Sequence, residues 1–127
     1  MAQQVTNAYQ HYWQVYSDAL LNLDTSKVPE VATGEELQRI QSEVDGLRKR
    51  NDALRTVIEH NYVVLNVTAS EAQVYDQIRD GSYTVDPITK QPPRGPDQRD
   101  TYKDIYYFQK TDAGWKVSRS VRQPNGQ

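Results

Sequence analysis

No cysteine occurs anywhere in the chain. Disulfide bridges, thiolate metal sites and cysteine nucleophiles are therefore excluded together. Only one phenylalanine and one methionine are present, so a core has to be built from aliphatic residues, nine tyrosines and two tryptophans, whose rings each carry a large apolar area. No long run of one charge sign occurs, and the formal net charge is −2. The electrostatic footprint of a nucleic-acid binder is missing. No apolar stretch approaches the ~20 residues that span a bilayer, so no membrane insertion of this segment is expected. The first residues, MAQQVTNAYQ, lack the basic and apolar parts of a secretory signal. An exported domain separated from its signal or anchor would read the same way, so the compartment is unknown and an extracytoplasmic one stays open. The glycines are too scattered for a phosphate loop. The two histidines, His11 and His60, have no regular spacing to carboxylates, so neither a metal nor a cofactor is expected.

What is present falls into two periodicities. Val5, Ala8, Tyr9, Tyr12, Trp13, Tyr16, Ala19, Leu20 and Leu23 recur at steps of three and four, which predicts a helix over about 3–23 with one aromatic-rich face. A second helix is expected from the TGEE start, with Thr33 as N-cap and Glu36 closing a capping box. Its stripe of Leu37, Ile40, Val44, Leu47, Leu54 and Ile58, with Asn51 in a core slot, is compatible with two readings. One is an amphipathic helix packed on a sheet, the other a coiled-coil dimerisation module with a register-setting Asn. From about Thr56 the period becomes two. VIEHNYVVLNVT and EAQVYDQIRD predict a pair of strands, with SYTVD extending the second. PITKQPPRGPDQ, with four prolines, predicts an exposed loop. RDTYKDIYYFQK and WKVSRSVR predict a final hairpin around TDAG, with Gly114 free to take a positive φ. On the last strand, Trp115, Val117, Arg119 and Val121 are expected to share a face. Trp115, just past the turn, is expected to plug the end of the core. Residues 1–122 are expected to form one domain and 123–127 a disordered tail.

Helices first and strands afterwards is the α+β arrangement: two N-terminal helices packed on a curved four-stranded antiparallel sheet. The first helix, ending VYSDALLNLD, the ATGEEL start of the second and the closing YYFQKTDAGWKVSRSV resemble the nuclear transport factor two-like superfamily. That superfamily is the cystatin-like cone shared by ketosteroid isomerase, polyketide cyclases and many uncharacterised bacterial exported domains. The resemblance covers about residues 4–122. It departs at 24–33, which is too short for the small extra strand pair of that family.

The resemblance implies a cavity between sheet and helices. Trp13, Tyr16, His60, Tyr62, Asp76, Tyr102 and Asp104 are the candidates to line it. It also implies that Tyr16 matches a helical tyrosine that donates to an oxyanion in the isomerase branch. Such chemistry needs a carboxylate base as well. Asp76 lies on an apolar strand face, either as a base or as a structural partner of His60 or Arg119. Asp104 is the other choice. No complete acid–base set is legible, so no catalytic residue is assigned. The expectation is a binding domain for a small apolar ligand or a protein, with a homodimer formed through the outer sheet face. An enzyme of the isomerase, dehydratase or cyclase kind is the alternative, and the dimerisation module a further one.

Overall fold

The computed structural model describes residues 2–91 and 100–124. The first helix, α1, runs over Ala2–Asn22, and Val5, Tyr9, Tyr12, Val15, Tyr16, Ala19 and Leu20 are buried along it. Steps of three and four set these side chains on one stripe, as expected. Leu23, at φ 55°, ends the helix in a left-handed turn. A short 3₁₀ turn at Val28–Glu30 carries Pro29 at its start. The second helix, α2, spans Gly34–Lys49 and buries Glu36, Ile40, Val44 and Leu47.

Two expectations for α2 are corrected. Thr33 holds the N-cap position but its side chain makes no capping bond. Glu36 is turned into the core instead, where stronger partners claim it. The helix also stops short of the expected stripe. Asn51 sits beyond it at φ 58°, and Leu54 and Ile58 belong to strands. The coil-core place assigned to Asn51 does not exist, and the coiled-coil reading falls with it.

Strand β1 (Ala53–Arg55) pairs antiparallel with β4 (Tyr83–Val85) in a separate two-stranded sheet. SYTVD thus forms its own strand and does not lengthen β3. This supplies a small strand pair, placed after α2. The main sheet has β2 (Ile58–Leu65), β3 (Glu71–Asp80), β5 (Asp100–Thr111) and β6 (Gly114–Arg122) in the order β2-β3-β5-β6. All neighbours are antiparallel. Both helices lie on one face, against Val74, Ile78, Tyr106, Phe108, Trp115 and Val117. Gly114 takes φ 106° in the last hairpin, and Trp115 beside it is buried. The expected α+β architecture of two helices on a four-stranded antiparallel sheet is therefore present.

A bulge in β6 changes what faces the helices. Phe108 pairs with Val117 while Tyr107 pairs with Arg119, so Ser118 is the extra residue. An inserted residue reverses the alternation beyond it. Arg119 and Val121 consequently leave the face of Trp115 and Val117, contrary to expectation. Ser120 and Arg122 turn inward in their place. At the expected tail, Gln123 N–H still donates to Lys103 O at 2.8 Å, while 125–127 lie outside the described residues. The expected proline loop is described only as far as Gln91. Among the described residues no helix is long and apolar enough to cross a membrane.

Candidate functional site

Strand pairing places the polar groups of the inner face in rows. One row runs Tyr62, Asp76, Asp104, Arg122 across β2, β3, β5 and β6. Two carboxylates thus stand directly opposite each other on the covered face, an arrangement that is destabilising unless each is compensated. Both are. Asp76, 0% exposed, accepts from Tyr9 O–H at 2.5 Å, meets His60 Nδ1 at 2.6 Å and accepts from Asn61 N–H at 2.9 Å. Asp104 accepts from Arg122 Nε at 2.6 Å and from Tyr106 O–H at 3.1 Å. Of the two partners expected for Asp76, His60 is the one found. Arg119 points to the other face and stacks on Tyr107, 3.9 Å above its ring centre.

A second network ties α1 to α2 and β6. Glu36 is buried and accepts from Tyr12 O–H, from Ser120 O–H at 2.9 Å and from Arg39 Nη2 at 2.7 Å. Burial pushes the Glu36 carboxyl up, but the Arg39 guanidinium and the two hydroxyls outweigh it and hold it below the usual range. Tyr16 O–H donates to Glu43 at 2.7 Å, and Arg39 also reaches Glu43 at 3.3 Å. Burial, then the Glu43 charge, raises the Tyr16 phenol. Burial raises Tyr9 and Tyr12 as well, each with help from its bonded carboxylate. Such hydroxyls are donors and stay protonated at neutral pH.

The space left over lies at the open end of the layers. A mouth recess of about 220 Å³ is lined by Trp13, Tyr16, Arg39, Tyr102, Asp104, Tyr106, Ser120 and Arg122. An adjoining recess of about 310 Å³ shares Trp13, Tyr16, Arg39, Tyr102 and Arg122, and adds Glu43, Asp80 and Asp100. Arg122 lies 3.6 Å above the Tyr102 ring, whose hydroxyl donates to Asp80 at 3.0 Å. Round the side of Trp13 a third hollow opens between α1 and β2. It has about 480 Å³ and is lined by Gln10, Trp13, Gln14, Ser17, Asp18, Thr56, Ile58 and His60.

Four of the seven expected residues, Trp13, Tyr16, Tyr102 and Asp104, therefore meet in the mouth. His60 lines the α1–β2 groove with Trp13, and Asp76 is sealed behind it. Tyr62 packs 5.0 Å from Tyr9 and accepts from Gln10 at 3.2 Å. Tyr16 and Asp104 share the mouth, but the Tyr16 hydroxyl is directed to Glu43 and Asp104 is bonded to Arg122, while Asp76 lies apart from both. Arg39, Glu43 and Arg122 went unread in the sequence. The i, i+3 and i, i+4 spacing of Glu36, Arg39 and Glu43 was the available signal. Arg122 gave none, since the bulge hid its parity. Among the described residues no group of three or more histidines and acids could hold a metal ion.

No family model and no curated protein sequence matches the chain. Solved structures do. The intermembrane space region of the chloroplast protein ARC6 superposes with a TM-score of 0.78 at 17% identity, covering 96% of this chain and 95% of that one. An uncharacterised protein with a cystatin-like fold from Caulobacter vibrioides gives 0.57 at 12% identity, over 94% and 90%. The hexachlorocyclohexane dehydrochlorinase of Novosphingobium barchaimii gives 0.57 at 12% identity, over 96% and 87%. The fold is the nuclear transport factor two-like, cystatin-like cone. Identities this low carry the cone and nothing about its contents. Proteins named as enzymes, uncharacterised proteins and a region of a chloroplast protein share it, so the site has to be argued from this chain's own groups.

Proposed function

We propose that the chain is a binding domain and that its ligand seats in the mouth of the cone, against Trp13, Tyr102, Arg39 and Arg122. The observation that supports this most is the engagement of the buried hydroxyls and carboxylates on the inner face. Tyr9, Tyr12, Tyr16, Asp76 and Asp104 are each bonded within the protein. Arg39 and Arg122 remain 43% and 58% exposed at the mouth. Two half-free guanidiniums beside two aromatic faces suit a ligand with an apolar body and a polar end. A compound screen by thermal shift tests the reading. Hits should raise the melting temperature of the wild type and fail to raise that of Trp13→Ala and Arg122→Ala. Hits that stabilise all three proteins equally would place the site elsewhere.

A second reading rests on one specific pair. His60 Nδ1 is held by the buried Asp76, and the His60 side chain is 25% exposed in the α1–β2 groove. A histidine oriented by a carboxylate is a competent general base. The dehydrochlorinase above, an enzyme on the same fold, gives this reading an analogue at the level of architecture. On it, His60 would take a proton from one carbon, the C–H electron pair would form a double bond, and halide would leave the adjacent carbon. His60→Asn should then lower turnover of a β-halogenated carbon-acid substrate by ~10²–10⁴-fold. No turnover by the wild type, or an unchanged rate in the variant, removes the reading.

The partner expected at the outer sheet face also stands as a proposal. Val63, Tyr75, Ile105 and Val121 lie in one paired row across all four strands. Such an apolar stripe suits a second copy of the chain.

A further inference from the structure

The rest of the chain treats the two edges of the main sheet differently. The β6 edge is covered. Val117 N–H donates to Val31 O and Thr33 N–H donates to Val117 O, both at 2.9 Å, and Ala32 forms a parallel bridge to Val117. The β2 edge has no such cover among the described residues. Peptide direction shows what it offers. Val57 O accepts from Gly81 N–H at 2.8 Å, and Asn61 N–H points to Asp76 Oδ1 at 2.9 Å. Odd-numbered residues of β2 therefore turn their peptide groups toward β3. Ile58, His60, Tyr62 and Val64 turn theirs outward, where no described residue bonds them. His60 agrees with this: its side chain is 25% exposed, yet the residue as a whole counts as exposed, so its main chain is open to water.

Open edges are normally blunted by Lys, Pro or a bulge. The β2 sequence IEHNYVVL has no Lys or Pro, and its register with β3 runs unbroken from Ile58 to Leu65. The α1–β2 groove lies alongside, with Gln10, Gln14 and Asp18 on its helical wall. Neither α1 nor β2 contains a lysine or arginine. On the outer side, Val63 and Leu65 are 53% and 38% exposed.

We propose that the β2 edge and its groove receive an extended basic segment of a partner protein as an added strand. The partner's backbone pairs with His60, Tyr62 and Val64. Its alternate side chains point into the groove, where Asp18 favours Lys or Arg. The side chains between them meet Val63 and Leu65, where aliphatic ones fit. Main-chain pairing with alternate side-chain pockets is an established recognition mode. A second copy of β2 is a poorer occupant, because it brings no cation to meet Asp18.

The probe is a labelled seven-residue peptide of alternating Lys and Val, compared with one of alternating Glu and Val. Fluorescence polarisation should show the Lys peptide binding at least ~5-fold more tightly, as a charge-assisted contact allows. Amide exchange should slow at His60, Tyr62 and Val64. Val64→Pro removes an outward N–H without taking a bond from β3, and should weaken binding. Asp18→Lys lies on the exposed helix surface and should reverse the preference between the two peptides. Equal affinities, or unchanged exchange at those three amides, would overturn the proposal. So would their protection at high protein concentration without peptide, which would give the edge to a second copy. The inference does not rest on the mouth site. Arg122→Lys, which keeps a cation beside Asp104 but loses the planar fork over Tyr102, should weaken mouth binding and leave peptide binding unchanged.

Discussion

At Glu36 one buried carboxylate accepts from Tyr12 of α1, Arg39 of its own helix and Ser120 of β6. Three elements meet at one charge. An amide there keeps one acceptor oxygen but turns a donor toward groups that themselves donate, and Arg39 is left with Glu43 as its carboxylate. Glu36→Gln keeps the volume and should cost about 2–3 kcal/mol, less than a fully buried pair because Arg39 is partly exposed. Urea denaturation measures it. The sign with pH follows. The folded carboxyl is held below its ordinary range, so its contribution is complete above the unfolded pKa and is lost as pH falls through the folded one. The variant should therefore show a shallower loss of stability in acid than the wild type. The tyrosines act at the opposite end. Burial raises Tyr9, Tyr12, Tyr16 and Tyr106 above the ordinary phenol. Their contribution is complete below the unfolded value of about 10 and is lost as pH rises past it. Stability should fall steeply above that pH, with tyrosinate absorbance at these residues appearing only on unfolding. Tyrosinate absorbance from all nine tyrosines in the still-folded protein would contradict this.

Two glycines separate conformation from packing at the level of elements. Gly114 sits at φ 106° with open space where a Cβ would go. Gly114→Ala should cost about 1 kcal/mol through backbone strain alone. Gly46 lies inside α2, and a Cβ there would meet only the Arg50 side chain, at 3.5 Å. Gly46→Ala should stabilise by ~0.5–1 kcal/mol. Melting temperatures that move in the same direction would refute the pair. The same contrast explains what could be read from sequence. The α1 stripe, the strands of the main sheet and the Gly114 turn are local patterns, and each was legible. The end of α2 was not. Leu54 and Ile58 continue its three- and four-residue steps, but the helix stops because Asn51 takes a left-handed turn and β1 pairs with β4. That pairing is a long-range event which no window of residues contains. The mouth was half legible. Trp13, Tyr16, Tyr102 and Asp104 were expected there because the family resemblance supplied the cavity, whereas Arg122 reaches the mouth only because Ser118 bulges.

Among the described residues the molecule presents a packed core, a polar mouth and a sheet whose outer face carries no covering element. The bonded tyrosines and acids under the helices fix how the sheet sits, and the surfaces argued above for ligands and partners are the mouth, the β2 edge and the outer face. The last of these is the surface proposed above for a second copy of the chain. Val63, Tyr75, Ile105 and Val121 form a continuous row there, and Ile105 stands in a central strand with neighbours on both sides. Burial of this row against its copy is worth about 25 cal/mol per Å² of apolar area. A charge at its centre would be desolvated without a partner in a two-fold pair, because each copy would carry the same one. Ile105→Glu should therefore convert a dimer to a monomer while leaving the fold intact, since the residue faces away from the helices. Sedimentation velocity distinguishes the two states, and far-ultraviolet circular dichroism checks the fold. A wild type that sediments as a monomer at high concentration would remove the outer face from the list of interfaces. The mouth and the β2 edge would then have to carry all recognition.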